Sequence, residues 1–435
     1  MGTAAGFVPV RWSAPGSRVT RLELFYDLVF VFAFLNVTSL TGYHPSAANV
    51  YRCLLVLGLL WWCWTGFAGL GNIVRADRGI LPVVGFVTIA ATFLLALSVP
   101  GAFQDRPGGL NGPLVFATCY FLVRVCQLSV FGWVARGDPA RLRRWAVLAG
   151  LPVVAAALLV AAALVPPRIA HGTAATTLQL ALWTGALLLE YGAGVRIGRS
   201  YWEVVSAGHW AERHALMVLI ALGESIIALG LGQRFLAGML PLTWPVVTAA
   251  VTGILVAASL WWAYFDTLAL VLEQALHRAR DPQVRIGLAR DVYTFGHLPI
   301  VAGIILFALG SKDLLVEAAD PSGPPWGEPL GGFWIAVLYG GVGLYLLALV
   351  GCSLRAVRVL RWRSVVAVIL LVLLAPLAGQ VAALHALVLL ALVCVGLVIA
   401  GTTGEGTRRH RIRQVALEEQ QAAEVEASRW RREHL

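Results

Sequence analysis

Lysine is nearly missing from this chain. Lys312 is the single one among 33 basic residues, and charged residues of all kinds make up only 13% of 435 positions. The arginines sit in short groups between long apolar runs and form no continuous basic stripe that phosphates could follow. The net charge of +10 therefore does not indicate nucleic acid binding. Cysteine is scarce too. Cys53, Cys63, Cys119, Cys126, Cys352 and Cys394 all fall inside apolar runs, with no C-x-x-C pair and no histidines at metal-ligand spacing. That pattern fits small buried hydrophobes, so no metal and no cofactor is expected. A P-loop, a G-x-S-x-G elbow and an H-E-x-x-H helix are all absent, which removes the hydrolase classes that depend on them. The first twenty residues lack a continuous apolar stretch, against a cleaved signal peptide.

What remains is apolar: 59% of the residues are hydrophobic and mean hydropathy is +0.78. Runs of about 20 apolar residues recur along nearly the whole length, as in helical integral membrane proteins. The expected fold is all-α, because helices are the only way such runs satisfy their backbone in lipid. Twelve spans are predicted, at 22–41, 50–71, 80–102, 113–135, 145–165, 175–195, 214–232, 244–268, 291–310, 330–352, 364–382 and 384–401. With the N-terminus inside, the cytoplasmic segments hold 27 Lys/Arg and the outer loops five, with Arg124 left inside a span. The asymmetry predicts that both termini are cytoplasmic. The stretch 311–332 is expected to be an outer loop, and the chain beyond Thr402 a charged cytoplasmic helix.

Short similarities recur in chain order. "LLWWCWTGF" (59–67) matches "SLWWAYFDT" (259–267), "ILPVVGF" (80–86) matches "HLPIVAG" (297–303), and "RRW" (143–145) matches "RWR" (361–363). Offsets near 200 to 217 suggest two six-helix repeats. Because six is even, the repeats would be parallel and related by an axis along the membrane normal. The expected divisions are an N-terminal segment 1–20, a first repeat 21–200, a second 201–402 and a C-terminal helix 403–435. On this alignment Asp27 corresponds to Glu224.

Ionisable residues at membrane depth are costly and are functional suspects. Counting about 1.5 Å of rise per residue from Arg21, Arg196, Glu273 and Arg290 puts Asp27, Glu190, Asp266 and His297 roughly 9–11 Å inside the cytoplasmic border. Arg124 and Glu224 fall near the midplane, at about 16–18 Å. Glu23 shares a helix face with Asp27, four residues on. The expectation is a polar cavity ringed by Asp27, Glu190, Asp266 and His297. Its floor would be Arg124 and Glu224 in salt-bridge contact, with Ser225 alongside. Trp61, Trp62 and Trp64, and Trp261, Trp262 and Tyr264, lie mid-span. They are either packing or an aromatic wall for an apolar or cationic ligand. "HWAERH" (209–214) reads as a loop-to-helix boundary.

The stretches "RLELFYDLVFVFA" (21–33), "EYGAGVRIGRSYWEV" (190–204), "HWAERHALMVLIALGESIIALG" (209–230) and "HLPIVAGIILFALG" (297–310) together resemble the bacterial low-temperature-requirement A (LtrA) family. The resemblance covers about residues 18 to 400. It implies a multi-pass protein of the bacterial cytoplasmic membrane whose family name records a cold-growth phenotype, and it implies no particular reaction. "RLELFYD" also has the R-x-x-x-F-x-D spacing of the endolysosomal potassium channels, although the seventh span, "RHALMVLIALGES", does not repeat it. Two functions suit the residues. One is a transporter or channel for a small solute or ion, with Asp27 and Glu224 binding protons or cations. The other is an intramembrane acid–base enzyme acting on an isoprenoid or lipid, in which Glu224, Asp27 and Asp266 would be the catalytic acids. The expected partners are membrane lipid and that small solute, ion or apolar substrate, with no nucleic acid. Oligomeric state is not legible.

Overall fold

A computed structural model describes residues 17–41, 45–105, 108–197, 204–230, 242–318, 322–324, 326–404 and 406–434. Most of the expected N-terminal segment, the 198–203 connection and the loop holding Arg234 lie outside these. The described chain is helical: α1 (Arg21–Ser39), α2 (Ala47–Ile73), α3 (Leu81–Ser98), α4 (Gly112–Ala135), α5 (Pro139–Leu164), α6 (Gly172–Ile197), α7 (Ala207–Gly230) and α8 (Trp244–Phe265) come first. They are followed by α9 (Leu268–Arg278), α10 (Pro282–Leu288), α11 (Gly296–Ala318), α12 (Gly332–Val357), α13 (Trp362–Ala378), α14 (Ala383–Gly404) and α15 (Gly406–His434). A π-helical stretch, Ala289–Phe295, joins α10 to α11.

Among the described residues, ten helices are long and apolar enough to cross a membrane. These are α1 to α6, the α8–α9 pair, the α10–α11 run, α12 and α14. Two predicted spans fall outside that count: α13 has 17 residues, and α7 carries Glu212, Arg213 and Glu224. The chain is thus a multi-span helical protein. Outward faces are apolar, as on α3, where Val83, Phe86 and Leu97 are each more than half exposed. Such faces suit hydrocarbon rather than water.

Three predicted boundaries need correction. The seventh helix begins at Ala207, not 214, and "HWAERH" lies within it. Hydropathy starts the span late because it cannot see that His209 and Arg213 are paired. The 311–332 stretch is helical up to Ala318. The eighth helix breaks after Phe265, and α9 leaves it as a separate segment.

Capping residues set several starts. Thr20 and Glu23 form a capping box at α1, Ser46 caps α2, and Asn111 with Pro113 opens α4. Helices α11 and α12 meet through small residues. A Cβ on Gly303 would lie 2.6 Å from the Gly341 carbonyl oxygen, so only glycine permits this approach.

Candidate functional site: a buried charged seam

Glu23 closes the α1 capping box: one of its oxygens (Oε2) accepts from the Thr20 amide and hydroxyl, each at 2.8 Å. Its other oxygen meets His209 Nε2 of α7 at 2.9 Å. This carboxylate fits because α2 presents Gly71 there. A Cβ at Gly71 would land on the carboxylate oxygen itself. Asn72, beside it, clamps the start of α7, donating to the Ser206 carbonyl at 2.7 Å and accepting from the Val205 amide at 2.8 Å. Its amide also meets His209 Nδ1 at 3.2 Å.

One turn deeper, Asp27 Oδ1 accepts from Arg213 Nη2 at 2.9 Å and from the Trp64 indole at 2.8 Å. Arg213 is fully buried, lies 3.8 Å from Glu23 and sits over the rings of Trp64 and Phe67. Towards the other end, Thr38 donates to Glu224 Oε1 at 3.1 Å. Among the described residues, Asp27 Oδ2 and Glu224 Oε2 have no hydrogen-bond partner although both side chains are buried.

These three α1–α7 pairs share one sequence separation, 186 residues. A constant offset over fifteen positions means that α1 and α7 run parallel and in register, along roughly 22 Å. The start of α7 therefore lies beside the start of α1. A chain that leaves α1 at its far end reaches that point only by an odd number of crossings. Five helices of membrane length, α2 to α6, lie between.

Away from the seam, Arg124 pairs with Glu190, not with Glu224: Arg124 Nη2 to Glu190 Oε2 is 3.1 Å and Nε to Oε1 is 3.2 Å. The expected Arg124–Glu224 bridge is thereby overturned. Residue counting gave depth but no azimuth, and α4 turns Arg124 toward Glu190 of α6. Glu190 also accepts from Tyr120 at 2.6 Å and Trp62 at 2.8 Å, and Arg124 donates to Gln127 at 2.6 Å. Each lone pair is occupied, as a buried ion pair requires.

The expected single ring is likewise divided. His297 is locked between the Val292 carbonyl at 2.9 Å and the Tyr264 hydroxyl at 2.8 Å. Asp266 pairs with Arg413 at the start of α15. Ser225 donates to the Leu222 carbonyl of its own helix at 2.7 Å. The tryptophans do not form one wall. Trp61 donates to the Thr294 carbonyl at 2.8 Å, Trp62 to Glu190 and Trp64 to Asp27, while Trp261 is 41% exposed. Trp61, Trp64, Trp210, Tyr293 and His297 surround His214, with ring centroids 4.8–5.9 Å from its own.

Residues that sequence reasoning passed over are the partners: His209, Arg213, Thr38, Asn72, Tyr120 and Gln127. One signal was available. His209 and Arg213 are four apart, matching the spacing of Glu23 and Asp27, as two facing helices would require.

The family model described as "Bacterial low temperature requirement A protein (LtrA)" matches residues 18–399. The chain is also 30% identical over 298 residues to a Rhizobium meliloti (strain 1021) protein described as "Uncharacterized protein RA0937", covering 66% of this chain and 67% of that one. No solved structure matches it significantly.

Proposed function

The chain belongs to the bacterial low temperature requirement A family, and from that premise we propose that it is a proton-linked transporter or channel for a small solute or ion, with the α1–α7 seam as its path. The observation that supports this reading is the register of that seam, which strings the buried side chains of Glu23, Asp27 and Glu224 between two parallel helices. At Asp27 and at Glu224 one carboxylate oxygen is anchored by donors, and the other has no partner among the described residues. An anchored carboxylate with a free lone pair in an apolar interior is suited to taking and releasing a proton. Arg213 and Glu224 are eleven residues apart on α7, about 16 Å along the axis. Asp27 sits level with Arg213, so that distance exceeds direct transfer and Asp27 and Glu224 act as separate stations joined by water or by movement of α7 along α1.

We also propose twelve spans in two parallel six-helix halves, counting α7 and α13 as crossings. The bacterial cytoplasmic membrane is the proposed location, with both ends of the chain inside. The parallel α1–α7 pair with five helices between supports the arrangement, and the arginine asymmetry supports the orientation. The enzyme reading has less support, since Asp266, one of its three expected acids, is paired with Arg413.

The test is proton flux into liposomes holding the purified protein and an entrapped pH dye, driven by an imposed potential. Flux should be lost in Asp27→Asn and Glu224→Gln and retained in Asp77→Asn, a loop control. Folded variants at both seam positions with wild-type flux would remove the seam from the mechanism.

A further inference from the structure

Asn72 is buried near the end of α2, and backbone groups hold both ends of its side-chain amide. Its oxygen accepts from the Val205 and Ser206 amides, at 2.8 and 3.4 Å, and its nitrogen donates to the Ser206 carbonyl at 2.7 Å. Turning the amide over would set oxygen against that carbonyl and nitrogen against those N–H groups, so its orientation is fixed. The second N–H of the same nitrogen therefore meets His209 Nδ1, at 3.2 Å. A side-chain amide nitrogen only donates, so Nδ1 is the accepting, unprotonated nitrogen of the ring. His209 is thus a neutral imidazole with its proton on Nε2, which donates to Glu23 Oε1 at 2.9 Å. The Glu23–His209 contact is a hydrogen bond without an opposite charge.

That assignment sets the charge of this end of the seam. Arg213 is fully buried and faces two carboxylates, Asp27 at 2.9 Å and Glu23 at 3.8 Å. The other groups around them are accounted for. Trp64 of α2 is a neutral donor to Asp27, and Tyr26 of α1 accepts from Thr92 of α3. His214, next on α7, has its Nδ1 on the Trp210 carbonyl at 2.8 Å and is enclosed by the rings of Trp61 and Trp64. Arg75, beyond the end of α2, is 42% exposed and bound to Asp77. Two carboxylates against one guanidinium leave a negative charge in an apolar interior, a costly arrangement unless it is matched. Glu23 is already saturated by three donors: the amide and hydroxyl of Thr20 and the His209 ring. Asp27 Oδ2 is the oxygen of the pair that no donor reaches among the described residues.

We propose that the Glu23–Asp27 pair binds one proton, carried as a carboxylic acid at Asp27 Oδ2, and that Asn72 is the positioning residue that directs it there by keeping His209 neutral. Uptake forms the Oδ2–H bond and takes the cluster from one negative charge to none; release breaks that bond and restores the charge. The inference rests on the proton-linked reading of the seam and gives its first station a stoichiometry, one proton, and a neutral loaded state. An acceptor in place of Asn72 would let His209 become an imidazolium. The cluster would then be neutral already, and Asp27 would have no charge left to compensate.

The experiment is nitrogen magnetic resonance on the full-length protein in lipid, isotope-labelled in histidine and asparagine. His209 is located by its through-space contact with the Asn72 amide and by loss of its signals in His209→Gln. At neutral pH it should show one protonated nitrogen and one bare, accepting nitrogen; two protonated nitrogens would overturn the proposal. In Asn72→Asp, where a carboxylate accepts from Nδ1, both should become protonated. An unchanged His209 in that variant, folded, would reduce Asn72 to a clamp and overturn its assigned role; if the variant does not fold, the wild-type spectrum decides. Infrared spectra with isotope-labelled aspartate carboxyls, in sodium-free buffer at neutral pH, should show a carboxylic-acid band that is lost in Asp27→Asn and unmoved by added sodium. Absence of the band, or its loss on adding sodium, would overturn the proton as occupant. These readouts do not depend on flux. Flux with an imidazolium at His209 would sink this inference alone, whereas a neutral His209 and a protonated Asp27 without flux would sink only the transport reading.

Discussion

Replacing Arg213 with glutamine tests the seam more sharply than any other single change. The guanidinium is fully buried, 2.9 Å from Asp27 and 3.8 Å from Glu23, and lies over two aromatic rings. Without it, two carboxylates remain in an apolar interior with only His209 as a possible counter-charge. Removing one partner of a buried pair costs about 3–5 kcal/mol, while removing both is often nearly neutral. Arg213→Gln should therefore lose about 3–5 kcal/mol in reversible unfolding in mixed detergent–SDS micelles, and Arg213→Gln/Asp27→Asn should recover most of that loss. The coupling energy from the full cycle should exceed about 2 kcal/mol. A single-variant loss below about 0.5 kcal/mol, the size of an ordinary surface change, would refute burial of the pair. Strict additivity would refute the Arg213–Asp27 contact.

Gly71→Ala places a methyl on the Glu23 carboxylate and should cost about 1–3 kcal/mol; the same unfolding assay should show Glu23→Ala relieving part of it. Arg124→Gln should cost about 3–5 kcal/mol by stranding Glu190, and Arg124→Lys should rescue it only in part, because the contact is bidentate through Nε and Nη2. Asp77, in the loop after α2, is held below the usual carboxylate range by its hydrogen bond to Arg75. Its contribution is present above that range and lost as pH falls through the lowered value. Both side chains are more than a third exposed, so Asp77→Asn should cost under about 1 kcal/mol at neutral pH and nothing in acid. Cysteine labelling in a cysteine-free background should find Ser322 outside and Ser428 inside; labelling of both from one side would break the proposed twelve-span topology.

The helical, multi-span nature of the chain was legible because long apolar runs have no other stable form in lipid. The acids at depth were legible for the same reason, since each interrupts such a run. Their partners were not. Arg213 reads as a loop residue by hydropathy, and its burial depends on Asp27, 186 positions away in sequence. Arg124 illustrates the other limit. Its depth can be counted along the helix, but whether it meets Glu190 or Glu224 depends on which way α4 is turned. Glu23 looks like an interfacial charge, yet Gly71 makes room for it against α2. Such complementarity between distant glycine and carboxylate has no local signature.

If the seam carries protons, Glu224 takes up and releases one inside the bundle. Infrared difference spectra of the reconstituted protein, recorded across a pH jump, observe that event directly. A carboxylic-acid carbonyl band should appear as pH falls, vanish in Glu224→Gln and persist in Asp77→Asn. A difference spectrum unchanged by Glu224→Gln, in protein that remains folded, would contradict it.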